Sequence, residues 1–129
     1  MLKWADHNNQ LLNIFQQLWT ENSFTDVTLS TDKKSFKAHK LVLSACSPYF
    51  RNLFLGTPNK HQTVFVKDIT SEHMSLLMDY MYRYCCHFKP CLFTNCFIHI
   101  RGSISVKQDE LQEILKSAST LHIRGTNFL

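Results

Sequence analysis

Glycine and proline are scarce, three of each among 129 residues, and with 19% charged and 44% apolar residues this composition excludes a disordered or low-complexity chain. The glycines stand only at positions 56, 102 and 125, so no glycine-rich phosphate loop can form. No run of about eighteen uncharged apolar residues occurs, and MLKWADHNNQ has no apolar stretch behind its basic residue; neither membrane spanning nor secretion is expected. Five cysteines, an odd number, in a reducing interior are expected to be thiols rather than bridges. Charge of one sign is not concentrated either. Fourteen Lys and Arg are scattered against ten Asp and Glu, for a net +4, and the nearest approach to a basic cluster is Lys33, Lys34, Lys37 and Lys40, so direct nucleic-acid binding is not expected. No catalytic constellation is present: Ser44, Cys46 and Ser47 lie in an apolar helical run, and Asp26 with His39 has no nucleophile beside it. Neither an enzyme nor a cofactor is implied.

The residues that are there fall into short periodic blocks, in a chain long enough for one domain with a real core. Leu11, Phe15, Leu18 and Trp19 have the i, i+4, i+7, i+8 spacing of an amphipathic helix, with Asp6 as its cap. Leu12 and Ile14 widen its apolar stripe, and a helix so broadly apolar needs cover on more than one side. FTDVTLS alternates from Phe24 to Ser30, and Ser35 to Ala38 can pair with it across the polar turn Thr31 to Lys34. Lys40 to Leu55 is helical in period but holds Pro48, which suits a first helical turn, so two short helices joined at Ser47 are predicted. A turn at Gly56 to Lys60 leads to a strand from Thr63 to Lys67. Thr70 and Ser71 then cap a helix bearing Met74, Leu77, Met78 and Met81. A short strand from Ser103 to Val106 and a helix through Leu111, Ile114, Leu115, Ala118 and Leu121 close the chain. The order describes an α+β domain, a small sheet with helices around it.

The run FTDVTLSTDKKSFKAHKLVLSACSPYFRNLF, residues 24 to 54, resembles the core of the BTB (POZ) domain in its Asp26-Val27, its Ala38-His39-Lys40 and its Ser44 to Phe50. Leu2 to Trp4 with NNQLLNIFQQL, and TPNKHQTVFVKDI at 57 to 69, are similar to the arthropod transcription-factor subgroup often called the tramtrack group. The resemblance covers residues 2 to 83 and 102 to 125 and implies a scaffold that pairs with itself, with the N-terminal strand exchanged and the first helix packed on its two-fold mate. Leu2, Trp4, Leu11, Leu12, Phe15 and Leu18 become the expected dimer interface. Burying each such side chain is worth roughly 1.5 to 3 kcal/mol, and a second copy would supply the cover. In relatives the positions of Asp26 and Lys40, beside His39, line a pocket for partners; the alternative is that Asp26 and His39 only satisfy backbone groups. The implied function is a dimerising interaction module of a nuclear transcription or chromatin regulator. Expected partners are its own copy, other BTB chains as heterodimers or higher multimers, and co-regulator proteins, with DNA contact made elsewhere. An alternative is a substrate adaptor for a cullin-type ubiquitin ligase, but LFLGTPNKHQ lacks the Glu of the hydrophobic-x-Glu element such adaptors carry, and the chain stops at Leu129 without their helical extension.

One segment interrupts the resemblance, so that the expected organisation is a single BTB domain over residues 1 to 129 broken at 84 to 101. YCCHFKPCLFTNCFIHIR holds four of the five cysteines and two histidines. Removing it gives MDYMYRGSISV, which restores the family pattern. Cys96-x2-His99 has chelate spacing, but Cys86-x4-Cys91 is loose and the link between the two halves is short for a structural zinc site, so no metal is assigned and a zinc or redox sensor is a third alternative. Its many apolar residues suit a surface loop poorly. The favoured reading is a retained intron translated in frame.

Overall fold

A computed structural model describes residues 1–58, 60–83 and 108–124. Alternation builds its centre. In β1 (Val27–Ser30) Val27 and Leu29 are buried while Thr28 and Ser30 face outward, and in β2 (Ser35–Ala38) Phe36 and Ala38 are buried. The two strands pair antiparallel, Val27 opposite Ala38 and Ser30 opposite Ser35. Thr31 closes the turn: its N–H and hydroxyl both donate to the Lys34 carbonyl, at 2.8 and 2.7 Å. This is the predicted hairpin, but its first strand starts at Val27 rather than at Phe24, whose backbone is left-handed (φ 60) and cannot continue a strand.

The helix pair also forms as predicted. α2 (Lys40–Cys46) ends where Ser47 turns to extended backbone, and α3 (Pro48–Gly56) restarts with proline in its first turn and the Ser47 hydroxyl accepting the Phe50 N–H at 3.2 Å. The chain returns to the sheet as β3 (Gln62–Phe65), parallel to β1 on the side away from β2. The predicted strand lay at Thr63 to Lys67. Val66 still donates to the Ser30 carbonyl, but the backbone leaves the ladder and reaches a left-handed Asp68 (φ 63), which cannot continue a strand.

α4 (Ser71–Arg83) is capped by Thr70, whose hydroxyl accepts the His73 N–H at 3.2 Å, and it buries Met74, Leu77, Met78 and Met81. α5 (Gln108–Thr120) packs against α4 through buried Ile114 and Ala118. Leu121 and Ile123 follow into the same core as Val27, Leu29, Leu43, Cys46 and Phe50. Cys46 is fully buried, its Sγ 3.5 Å from the Met81 carbonyl, the packing role its place in the apolar stripe predicts. The α+β architecture therefore stands: among the described residues, five helices surround a three-stranded sheet. The predicted strand at Ser103 to Val106 and the cysteine-rich segment at 84 to 101 lie outside the described residues.

α1 (His7–Thr20) lies against α4. Its start corrects the expected cap. Asp6 sits at the capping position but in left-handed backbone (φ 63), and its carboxylate takes the Asn9 side-chain amide at 2.6 Å instead of a backbone N–H.

Candidate functional site

α1 contains no fully buried residue. Phe15 and Trp19 turn inward and pack on the core, half-buried. Leu12 and Leu18 are also half-buried. Leu11 stays 38% exposed and Ile14 47%, while Leu2 in the arm ahead of the helix is fully exposed. Trp4 is 60% exposed although its indole N–H donates to the Gln10 side chain at 2.8 Å and its ring meets His7 edge-on at 4.5 Å. Of the six residues expected to face a second copy, Leu2, Trp4 and Leu11 are thus open and Phe15 is committed to its own chain. Ile14 joins the open set; it belongs there because the helix rotates Phe15 and Trp19 toward α4 and leaves the neighbouring positions outside. Leu11 and Ile14 lie one turn apart on the helix.

Asp26, His39 and Lys40 come together at the start of α2, all half-buried. Asp26 Oδ1 accepts the backbone N–H of Lys40 at 2.7 Å, placing a carboxylate at a helix N-terminus, where the exposed N–H groups favour negative charge. That bond uses the backbone of residue 40, so it does not depend on lysine or arginine standing there. The Lys40 ammonium lies 5.9 Å over the Phe54 ring.

His39 is the centre of a buried connection that periodicity does not signal. The Tyr82 hydroxyl accepts the His39 backbone N–H at 2.9 Å and lies 2.7 Å from His39 Nδ1, while Nε2 lies 2.7 Å from the Ser23 carbonyl. One arrangement satisfies all three: the hydroxyl donates to Nδ1 and the proton on Nε2 is given to Ser23. Tyr82 is only 3% exposed, and burial pushes its phenol well above the usual tyrosine range, outweighing the opposite pull of the His39 N–H. Its other face carries Trp19, stacked at 4.5 Å.

The family model of the BTB/POZ domain matches residues 15–95. The alpha isoform of tramtrack from Drosophila melanogaster is 41% identical over 124 residues, 96% of this chain and 13% of that protein, so the chain spans a small part of such a relative. The longitudinals lacking protein-like chain of the same organism is 36% identical over 124 residues, covering 96% of this chain and 84% of its own length. Among solved structures, the BTB domain of zebrafish PATZ1 superposes with a TM-score of 0.69 over 98% of this chain and 89% of its own, at 23% identity, a likeness of fold.

Proposed function

The chain belongs to the BTB/POZ family, and from that premise we propose that it is the pairing module of a nuclear transcription or chromatin regulator. It joins two copies, or a copy and a related BTB chain, into dimers or larger assemblies that recruit co-regulator proteins. It does no catalysis, and DNA contact is made by another domain or a partner. The exposed stripe of Leu2, Trp4, Leu11 and Ile14 carries this reading. A second copy would bury the stripe at roughly 25 cal/mol per Å² of apolar surface removed from water, and a two-fold arrangement would present the same stripe from both sides. The arm at residues 1 to 4 supports exchange of the N-terminal strand between copies, since it makes no strand within its own chain. Half-buried Asp26, His39 and Lys40 are proposed as the floor of a partner groove beside that interface. The similarity to tramtrack over 124 residues supports the regulator assignment.

Two differently labelled preparations, mixed at micromolar concentration, should exchange subunits and show resonance energy transfer; a folded chain that shows none contradicts pairing. Tethered to a heterologous DNA-binding domain in nuclei, the chain should shift the output of a nearby reporter, and charging the α1 surface should return the output to baseline. A reporter indifferent to the tethered chain contradicts the regulator assignment.

A further inference from the structure

Around Tyr82 four groups from three parts of the chain meet. Trp19, one residue from the end of α1, covers one face of its ring with planes 9° from parallel. His39, at the entry to α2, grips its hydroxyl from the backbone and from the imidazole. The same imidazole reaches across to the carbonyl of Ser23, and Ser23 is itself bound to α1 because its N–H donates to the Leu18 carbonyl at 2.9 Å. The end of α1 is therefore held twice from one side chain of α4: through the stack on Trp19, and through the hydroxyl, His39 and Ser23. No residue of α1 is fully buried, and besides this double hold the helix packs on the core through half-buried Phe15.

We infer that Tyr82 and His39 are positioning residues for self-association, a clasp that sets the orientation in which α1 presents Leu11 and Ile14 to a second copy. The inference rests on the pairing proposed above. Apolar packing alone leaves a surface helix free to roll and slide, because it is non-directional; three directional bonds on one histidine do not. Nε2 alone reaches the Ser23 carbonyl and so the end of α1, whereas Tyr82 is also held by the backbone N–H of residue 39 whatever side chain stands there. That difference separates two substitutions by chemistry. Asn at position 39 can offer an acceptor where Nδ1 stands but leaves the Ser23 carbonyl without its donor. Gln can place an amide donor where Nε2 stands.

Full-length chains carrying Tyr82→Phe, His39→Asn and His39→Gln, compared with the unaltered protein by sedimentation and by amide hydrogen exchange over residues 7 to 20, test this. Tyr82→Phe keeps the Trp19 stack and loses only the hydroxyl. Tyr82→Phe and His39→Asn should each weaken self-association by about tenfold, the equivalent of one or two hydrogen bonds, and speed exchange at the end of α1, with the body still melting cooperatively. His39→Gln should restore both most of the way. Equal association constants and unchanged α1 exchange in all three variants, whatever happens to their melting temperatures, would overturn the clasp. If Tyr82→Phe does not fold, the contrast between Asn and Gln at position 39 decides. An unaltered protein that is a monomer refutes the pairing, while the exchange rates still judge whether the clasp holds α1.

Discussion

The indole of Trp19 lies flat on the phenol of Tyr82, ring centroids 4.5 Å apart and planes 9° from parallel. This contact joins the exposed first helix to the buried fourth, and its loss should be felt by both. Trp19→Ala removes a half-buried indole and its stack, and is expected to cost about 2 to 4 kcal/mol, somewhat less than a fully buried tryptophan would. Trp19→Phe should recover more than half. Denaturant titration at one fixed protein concentration measures both, since stability of an associating chain depends on concentration.

Ser47 serves two partners at the break between α2 and α3. Its hydroxyl accepts the Phe50 N–H at 3.2 Å and donates to the Leu121 carbonyl at 2.5 Å, and it is fully buried. Ser47→Ala leaves a helix-end donor and a buried carbonyl unpaired together, so a loss of about 2 to 3 kcal/mol is expected in thermal or denaturant unfolding. A change under 0.5 kcal/mol would mean that neither bond matters to the junction between α3 and the end of α5.

Alkaline pH should unfold this protein through Tyr82. Burial raises its phenol above the value near 10 that an unfolded chain shows, so the native state favours the neutral ring. The resulting stabilisation is complete below about pH 10 and is lost as pH rises toward the higher native value, because the unfolded chain releases the proton first. Tyrosinate absorbance should therefore appear for this residue together with unfolding, and Tyr82→Phe should lack this part of the alkaline loss.

Deleting residues 84 to 101 should leave self-association in place. Every residue proposed to face a second copy lies between positions 2 and 18. Light scattering on the two chains side by side checks this, and a deletion that abolishes pairing would assign the segment a part in it.

Much of the fold was legible because its signals are local. The polar turn at Thr31 to Lys34 located β2 at Ser35–Ala38 as the partner of an alternating strand, and Pro48 marked the helix break. The limits appear where geometry depends on distant residues. The left-handed turns at Asp6 and Asp68 were not legible, since aspartate at either place also suits a cap or a loop in ordinary backbone. Ile14 looked peripheral by spacing, and only the seating of Phe15 and Trp19 against the core leaves it outside. His39 and Tyr82 are 43 residues apart, and no periodicity links them. The nearness of Asp26 to Lys40 was anticipated from family resemblance, but not that the bond would run to the backbone of residue 40.

Sedimentation equilibrium at micromolar concentration, on the unaltered chain and on one carrying Leu11→Glu with Ile14→Glu, decides whether the first helix is an assembly surface. The unaltered chain should sediment at no less than twice its 15.1 kDa, and the double variant should fall to a folded monomer. An unaltered chain that is well folded at 15.1 kDa, with Leu11 and Ile14 in water, would contradict it.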